Sequence, residues 1–511
     1  MKMALTPQQR LSADTAMLQQ AGLTNFSTWW ASTPHLTNEE TKKGRKLCSS
    51  LEDAIYRSGL KDGGTISFHH HFREGDKVIM QVVAELARLG FQDLTLASSS
   101  VNACHAGLVD YIRQGVITRI YSSGLRGQLA EEISHGLMDH PVTIHSHGGR
   151  CALMNLGELR PDVAFLGVPA CDEFGNANGT TGESRCGSLG YAMVDAQHAA
   201  CVVAVTEQIV SYPHTPASLR QDQVDLVVKV DQVGDPKKIA TGAVRATTNP
   251  RELLIARYAA DVLINSGLFV DGFSMQTGSG ASAVATTRYL REAMVNQNIT
   301  ARWALGGITG DIVDLQEAGL IGTLLDTQSF DVRAADDLAV NPNHREINAG
   351  EYANPLGKSA AVDELDMVVL SALEIGLDFG VNVLTGSDGI MLGASGGHCD
   401  TAAGAKLPII VAPLLRGRIP TVVEQVTTLV TPGATIGALV TDHGVAVNPA
   451  RPELAERLKS TGLPLTTIEE LYALSNRIAG KPRPLEFTDK VVGIVRYRDG
   501  SVIDTVHEVA R

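Results

Sequence analysis

What this sequence has little of already excludes several large classes of protein. Aromatic residues are 5% of the chain against 44% hydrophobic residues overall, so the core rests on aliphatic and small side chains. Cysteines number seven (Cys48, Cys104, Cys151, Cys171, Cys186, Cys201 and Cys399), an odd, scattered set without a C-x-x-C pair. That spacing excludes a disulfide framework and a cysteine-based zinc site, and it predicts reduced, mostly buried thiols. Positive charge is not in surplus: 43 Lys and Arg face 56 Asp and Glu, a formal net charge of −13. Such a chain is a poor general ligand for DNA or RNA, which needs clustered cations. Long apolar runs are missing too. LPIIVAPLL at 407–415 falls far short of the ~18–20 residues that span a bilayer. The opening MKMALTPQQRLSADTAMLQQ lacks the apolar core of a signal peptide. A cytoplasmic protein without membrane or nucleic-acid partners is expected.

What is present points to an α/β enzyme. The chain has 511 residues, enough for about three domains or two large ones, with 50 glycines for tight turns and close backbone approaches. It also repeats itself. VDYIRQGVITRIYSS from Val109 matches VDLQEAGLIGTLLDT from Val313, and DVAFLGVPACDEFGNAN from Asp162 matches DMVVLSALEIGLDFGVNV from Asp366. Both pairs are offset by 204 residues, the length of a whole domain. In the first pair, a helical turn leads through a glycine stop (Gly115, Gly319) into an apolar strand. A tandem duplication of one α/β domain is predicted.

Apolar runs at 94–99, 162–168, 200–206, 407–413 and 491–497 alternate with helical patterns such as KVIMQVVAELARLG at 77–90. That alternation predicts mainly parallel sheets buried on both faces. The division read from the sequence is a helical arm over 1–40 with Trp29 and Trp30, a first α/β domain over 41–240 and a second over 241–511. The polar stretch 231–250 supplies the linker.

Four glycine-containing loops are read as following strands, where open α/β sheets bind ligands: 122–127, 145–150, 276–282 and 393–400. Gln276, Thr277, Gly278, Ser279 and Gly280 stand before a helical pattern, suiting an anion at a helix start. This run is neither G-x-G-x-x-G nor a P-loop. Gly396 and Gly397 offer consecutive amides for a developing oxyanion, and no serine-triad elbow is read. Arg126 and Arg150 sit in glycine-flanked loops, and guanidinium forks grip carboxylates. His69, His70 and His71, with His145 and His147, lack the spacing of a metal site, so no metal is expected.

The segments at 123–150, 162–179 and 395–449 closely resemble the alpha subunits of citrate lyase, within the wider coenzyme A transferase superfamily. The resemblance runs from about residue 40 to the end of the sequence and implies two duplicated coenzyme A transferase-like domains. It implies exchange of acetate for citrate on the thiol of an acyl carrier protein, with acetyl-coenzyme A able to replace the carrier's dephospho-coenzyme A-derived group. It also implies a homo-oligomer assembled with a carrier (gamma) and a lyase (beta) subunit. On this reading Arg126, Arg150, His145, His147, Ser98, Ser99 and Ser100 bind citrate, while residues 276–280 cradle the pantetheine or its phosphate. One departure stands out. Related transferases carry a nucleophilic glutamate after a threonine in the loop matched here by LGGITGDIVDL (305–315), where this chain has Gly310 and then Asp311. A covalent enzyme intermediate is therefore not expected, and a ternary complex is. Glu374 is the rival catalytic carboxylate, with Glu424 and His443 behind it; hydrolysis, another carboxylate acceptor and a silent scaffold are the alternatives.

Overall fold

The structure, a computed structural model, describes residues 6–23, 46–239 and 247–510. Trp29, Trp30 and the division expected at residue 240 lie outside the described residues.

Fourteen strands carry the duplication. In the first half they are β1 (Thr65–Phe68), β2 (Leu94–Ser98), β3 (Ile117–Ser122), β4 (Val142–Ile144), β5 (Val163–Asp172), β6 (Cys201–Val210) and β7 (Leu226–Lys229). In the second they are β8 (Ser274–Thr277), β9 (Ala301–Ile308), β10 (Ile321–Ser329), β11 (His344–Glu346), β12 (Met367–Ser371), β13 (Leu407–Val411) and β14 (Ala438–Thr441). The first sheet runs β7-β6-β5-β1-β2-β3-β4 and the second β14-β13-β12-β8-β9-β10-β11, the same order counted within each half. Every pairing along both runs is parallel.

The repeated sequence segments occupy equivalent places. Gly115 and Gly319 both take left-handed φ values, +77° and +73°, each after a short helix and just before β3 or β10. Asp162 accepts the amide of Thr65 at 2.7 Å and Asp366 that of Ser274 at 2.8 Å. In both halves the aspartate before the fifth strand thus ties down the start of the first. This shared bond requires the two strands to be neighbours, so it reports common topology and not merely common composition.

Strands β5 and β13 are buried along their whole length, as expected of parallel strands covered on both faces. Phe68 stacks on Phe165 within the first core, at 6.0 Å between ring centroids. The second sheet packs two clusters, one around Met275, Leu324 and Ile409, the other around Leu305, Val368 and Ile410.

One end of the chain departs from the expected division. Phe487–Arg496 pairs in parallel with β4, and Val502–Val509 runs antiparallel beside it, so these strands extend the first sheet. Strand β4 is three residues long; the returning hairpin covers its open edge, which solvent would otherwise meet.

Asp366 also accepts the Ser274 hydroxyl at 3.1 Å and faces Lys406 at 2.8 Å. Asp366→Ala is expected to cost about 1–3 kcal/mol, because the partly buried Ser274 amide loses its acceptor. The check is a lower urea midpoint at unchanged slope; a midpoint within error of the parent would remove this contact from the fold's supports.

Candidate functional site

Parallel strands place the residues that follow them at one edge of the sheet, so each half gathers polar groups at its carboxyl ends. In the first half β1 delivers His69, His70, His71 and Arg73, β2 delivers Ser99, Ser100 and Asn102, β3 delivers Arg126, and β4 delivers His147. His70 stacks on His147 at 5.5 Å and 12°. Tyr191, from helix Gly190–His198, lies within 4.4–5.2 Å of His147, His70 and His71. Ser99 Oγ fixes His70, 2.6 Å from its Nδ1, and accepts the His70 amide at 3.0 Å. Arg126 donates to Ser100 Oγ at 3.2 Å and to Asn102 Oδ1 at 3.3 Å.

The second half closes over this cluster. His147 donates its amide to Gly396 O at 2.8 Å, and Ser395 donates its own to Ser123 O at 2.8 Å. Asp400 accepts Ser146 Oγ at 2.8 Å and the Gly148 amide at 2.9 Å, capping the helix that carries His147. Burial lifts the Asp400 carboxyl to about 6, against the pull of the Gly148 amide, Arg498 and Ser146. A Cβ on Gly148 would collide with Ala353 O, and one on Gly397 with the Tyr352 hydroxyl, so both glycines are required by close approach. Tyr352 in turn accepts Gln276 Nε2 at 3.0 Å.

Charge in the cluster is one-sided. Burial, then the positive neighbours Arg150 and Arg126, takes His147 down to about 3; burial also drives His70 and His71 well below their ordinary value. The imidazoles are therefore neutral near pH 7. Burial brings Arg73 down to about 10 and lowers Arg126, so both stay charged. Neither arginine forms an ion pair among the described residues. Several buried atoms here have no hydrogen-bond partner, among them Arg73 Nε, Asn102 Nδ2, Ser123 Oγ, His147 Nδ1 and Gln276 Oε1. Unsatisfied donors such as Arg73 Nε and Asn102 Nδ2, beside charged guanidiniums, suit a small polyanion.

Residues 44–509 match the family model for the citrate lyase alpha subunit. The citrate lyase alpha chain of Klebsiella pneumoniae is 62% identical over 499 residues, covering 97% of this chain and 98% of that one. That of Escherichia coli (strain K12) is 64% identical over 470 residues, covering 92% of each. The chain belongs to the citrate lyase alpha subunit family. A Streptococcus mutans chain described as the alpha subunit of citrate lyase, solved in complex with citrate, superposes with a TM-score of 0.90 at 51% identity over 92% of each chain. A malonate decarboxylase alpha subunit from Acinetobacter baumannii, at 15% identity and a TM-score of 0.62, shares the fold.

Seen as a member of this family, the chain brings together Arg126, His147, Ser99, Ser100, Gly396, Gly397 and Gln276. Gln276, from the run at 276–280, stands beside Tyr352 at the contact between the halves. In that run the Gly278 amide already donates to Val369 O at 2.7 Å, leaving Thr277 buried and Ser279 exposed beside the uncapped start of helix Ala281–Gln297.

Arg150 is placed differently from the expectation. Its guanidinium is buried against Asp195, with Nε 3.1 Å from Oδ1 and Nη2 2.8 Å from Oδ2, and Nη2 also meets Ser67 Oγ and Ala97 O. The fork that was expected to hold a substrate carboxylate already holds an internal one. Ser98 turns its hydroxyl onto Ser100 O, and His145 Nδ1 lies 3.0 Å from Ser146 O. Glu374 is likewise occupied. It accepts Asn382 Nδ2 at 2.9 Å and both the amide and hydroxyl of Thr427, inside the small sheet of Glu374–Gly376, Val381–Asn382 and Val422–Val423. G-x-S-x-G spacing does occur, at 393–397, contrary to the absence of a serine elbow read above. Ser395 there follows irregular chain, and its Oγ lies 3.9 Å from Cys399 Sγ with no histidine bonded to it, so no triad forms.

Arg73, Tyr191, Tyr352 and Asp400 were missed. Only Arg73 left a trace in the sequence, four residues after the start of the histidine run.

Arg150→Met is expected to cost about 3–5 kcal/mol by leaving Asp195 charged and buried, and adding Asp195→Leu recovers much of the loss. Denaturation of both variants checks this. An unchanged midpoint for Arg150→Met would return Arg150 to the substrate-binding set.

Proposed function

We propose that this chain exchanges the acetyl group of a carrier-protein or coenzyme A thioester for citrate, giving a citryl thioester and acetate, by direct reaction within a ternary complex. The carrying observation is the cluster at the contact between the halves, where Arg73 and Arg126 form no ion pair among the described residues and burial keeps the histidines neutral.

The placement of the rival carboxylates supports that route. Gly310, where the covalent route needs its glutamate, donates its amide to Asp331 at 2.7 Å and begins helix Gly310–Glu317. Asp311 is half-buried within the first turn of that helix, its pKa raised by burial. Glu374 is saturated. A carboxylate of citrate therefore attacks the acetyl carbonyl itself. The C–S bond breaks, and a mixed acetic–citric anhydride and a thiolate form. The thiolate then attacks the citryl carbonyl of the anhydride, expelling acetate. No step moves a proton, which suits imidazoles kept neutral by burial; they act as hydrogen-bond groups. Catalysis comes from positioning and oxyanion stabilisation.

Arg126 grips citrate with Ser99, Ser100 and His147 beside it. Gly396 and Gly397 turn their amides to the oxyanion, and the two glycines leave room for it next to His147 and Tyr352. The carrier's pantetheine arm enters past Ser279 and Gly280, where the helix start lacks a side-chain cap. The carrier and a lyase subunit are the protein partners, within an assembly of several copies, in the cytoplasm. Among the described residues no helix is long and apolar enough to cross a membrane.

The test is the purified chain with acetyl-coenzyme A and citrate, followed by mass spectrometry. Citryl-coenzyme A and acetate are expected in equal amounts without acylated or thioester-modified protein. Acetate alone would indicate hydrolysis, a glutamyl thioester would restore the covalent route, and no turnover even with acetylated carrier would favour a scaffold.

A further inference from the structure

Arg73 is a cation of the cluster that no expectation anticipated, and its setting is unusual in four respects. Its backbone is left-handed, φ +52°, a conformation that is unfavourable for a non-glycine residue and persists where surrounding structure enforces it. Its guanidinium crosses to the second half and lies over the Phe330 ring, 4.4 Å from the centroid. Its Nε is buried without a partner. Finally, it shares the pocket with Arg126, a like charge.

Nearby acids offset this only in part: Asp331 and Asp326 favour the charged Arg73 and Glu74 the charged Arg126, yet among the described residues none forms an ion pair with either. Glu74 gives its carboxylate to the amides of Ala103 and Cys104, at 3.4 and 3.0 Å. Asp331 caps helices through Gly310 N and Ala334 N. Asp326 directs Oδ2 to Ser329 and His344 and keeps Oδ1 buried without a hydrogen-bond partner. The two guanidiniums oppose one another, and with no ion pair to either among the described residues an anion that bridges them would be favoured.

We propose that Arg73 determines acceptor specificity: it and Arg126 hold the two carboxylates of the acceptor that take no part in the exchange, so the site selects a tricarboxylate. The inference rests on the transferase reading above and adds a count of charges to it. A tricarboxylate has one carboxylate to react and two to anchor; two unpaired arginines match the anchors. Phe330 makes this recognition a joint property of the halves, because the first supplies the cation and the second the ring that fixes its plane.

The measurements are citrate affinity by calorimetry and kcat/KM for citrate, propane-1,2,3-tricarboxylate and pentanedioate, on the full chain and on Arg73→Gln. Loss of a charge-assisted contact predicts citrate binding weaker by roughly 10- to 100-fold. The preference for tri- over dicarboxylate should fall by a similar factor, with kcat for citrate changed far less than KM. A purely structural Arg73 would lower all three substrates together and leave their ratio intact, which overturns the proposal. The unmodified chain gives an independent reading that no folding defect can obscure. Citrate should protect both Arg73 and Arg126 from an arginine-selective dicarbonyl, mapped by peptide mass spectrometry. Protection of Arg126 alone would sink the role of Arg73 while leaving the transferase reading standing. Protection of neither, with no citrate binding, would sink both.

Discussion

The contact on which the site depends is the seam where the loop at 393–397 of the second half lies along the strand ends of the first. Two backbone bonds, Ser395 N to Ser123 O and His147 N to Gly396 O, set its register, and Asp400 locks it by capping the helix of His147. Remove that seam and each half keeps its sheet, but Tyr352, Gln276 and the Gly396–Gly397 amides lose their position against His147 and Tyr191. Glycine is demanded where backbones approach: Gly124 meets Ala394 in an antiparallel bridge, and Gly148 passes beneath Ala353. The pocket is thus a property of the pair. A single coenzyme A transferase-like unit of this fold would present an open row of polar strand ends to solvent.

The returning hairpin strengthens the same seam from the side. Arg498, in the turn between the two terminal strands, approaches Asp400 at 3.9 Å and Asp363 at 3.5 Å. One end of the chain therefore completes the first sheet's edge and helps to neutralise the carboxylate that joins the halves. A buried acid in that position would otherwise be costly, and it is offset by donors from the first half and by Arg498 of the hairpin.

Much of this fold was legible because its cause is local. The 204-residue repeat, the glycine stops at Gly115 and Gly319 and the wholly apolar strands are written in contiguous residues, and local patterns survive duplication. The aspartates at Asp162 and Asp366 show why even a weak repeat was informative: each meets the same topological need. The hairpin's destination was not legible, since pairing with β4 joins residues more than 300 apart and leaves no periodic sign. The site divides in the same way. Arg126, His147 and the glycine loops stood out by composition. Arg150 sat in an equally suggestive loop, yet Asp195 is what it meets, 45 residues further along. Whether a guanidinium faces a ligand or an internal acid is decided by tertiary approach. For the same reason Arg73 was overlooked: nothing in its neighbours in sequence announces Phe330.

Duplication also explains how one fold came to hold two kinds of chemistry. Equivalent strand ends in the two halves have diverged in opposite directions. After β1, β3 and β4 stand histidines and arginines; after β8 and β9 stand glycines and threonines, including Gly278, Thr309 and Gly310. Side-chain cations suit a multiply charged acid, while in the second half the amides of Gly278 and Gly310 are bonded within the half, to Val369 O and Asp331. A single unit would have to place both sets at one edge, where the cations would crowd the amides and attract the negative oxyanion away from them. On the proposed function, two units facing each other let acid and thioester approach from opposite sides. The missing glutamate follows from this arrangement. If both substrates are held at once, the enzyme has no need to store an acyl group between them, and a carboxylate beside Gly310 would only oppose the charges that bind the acid.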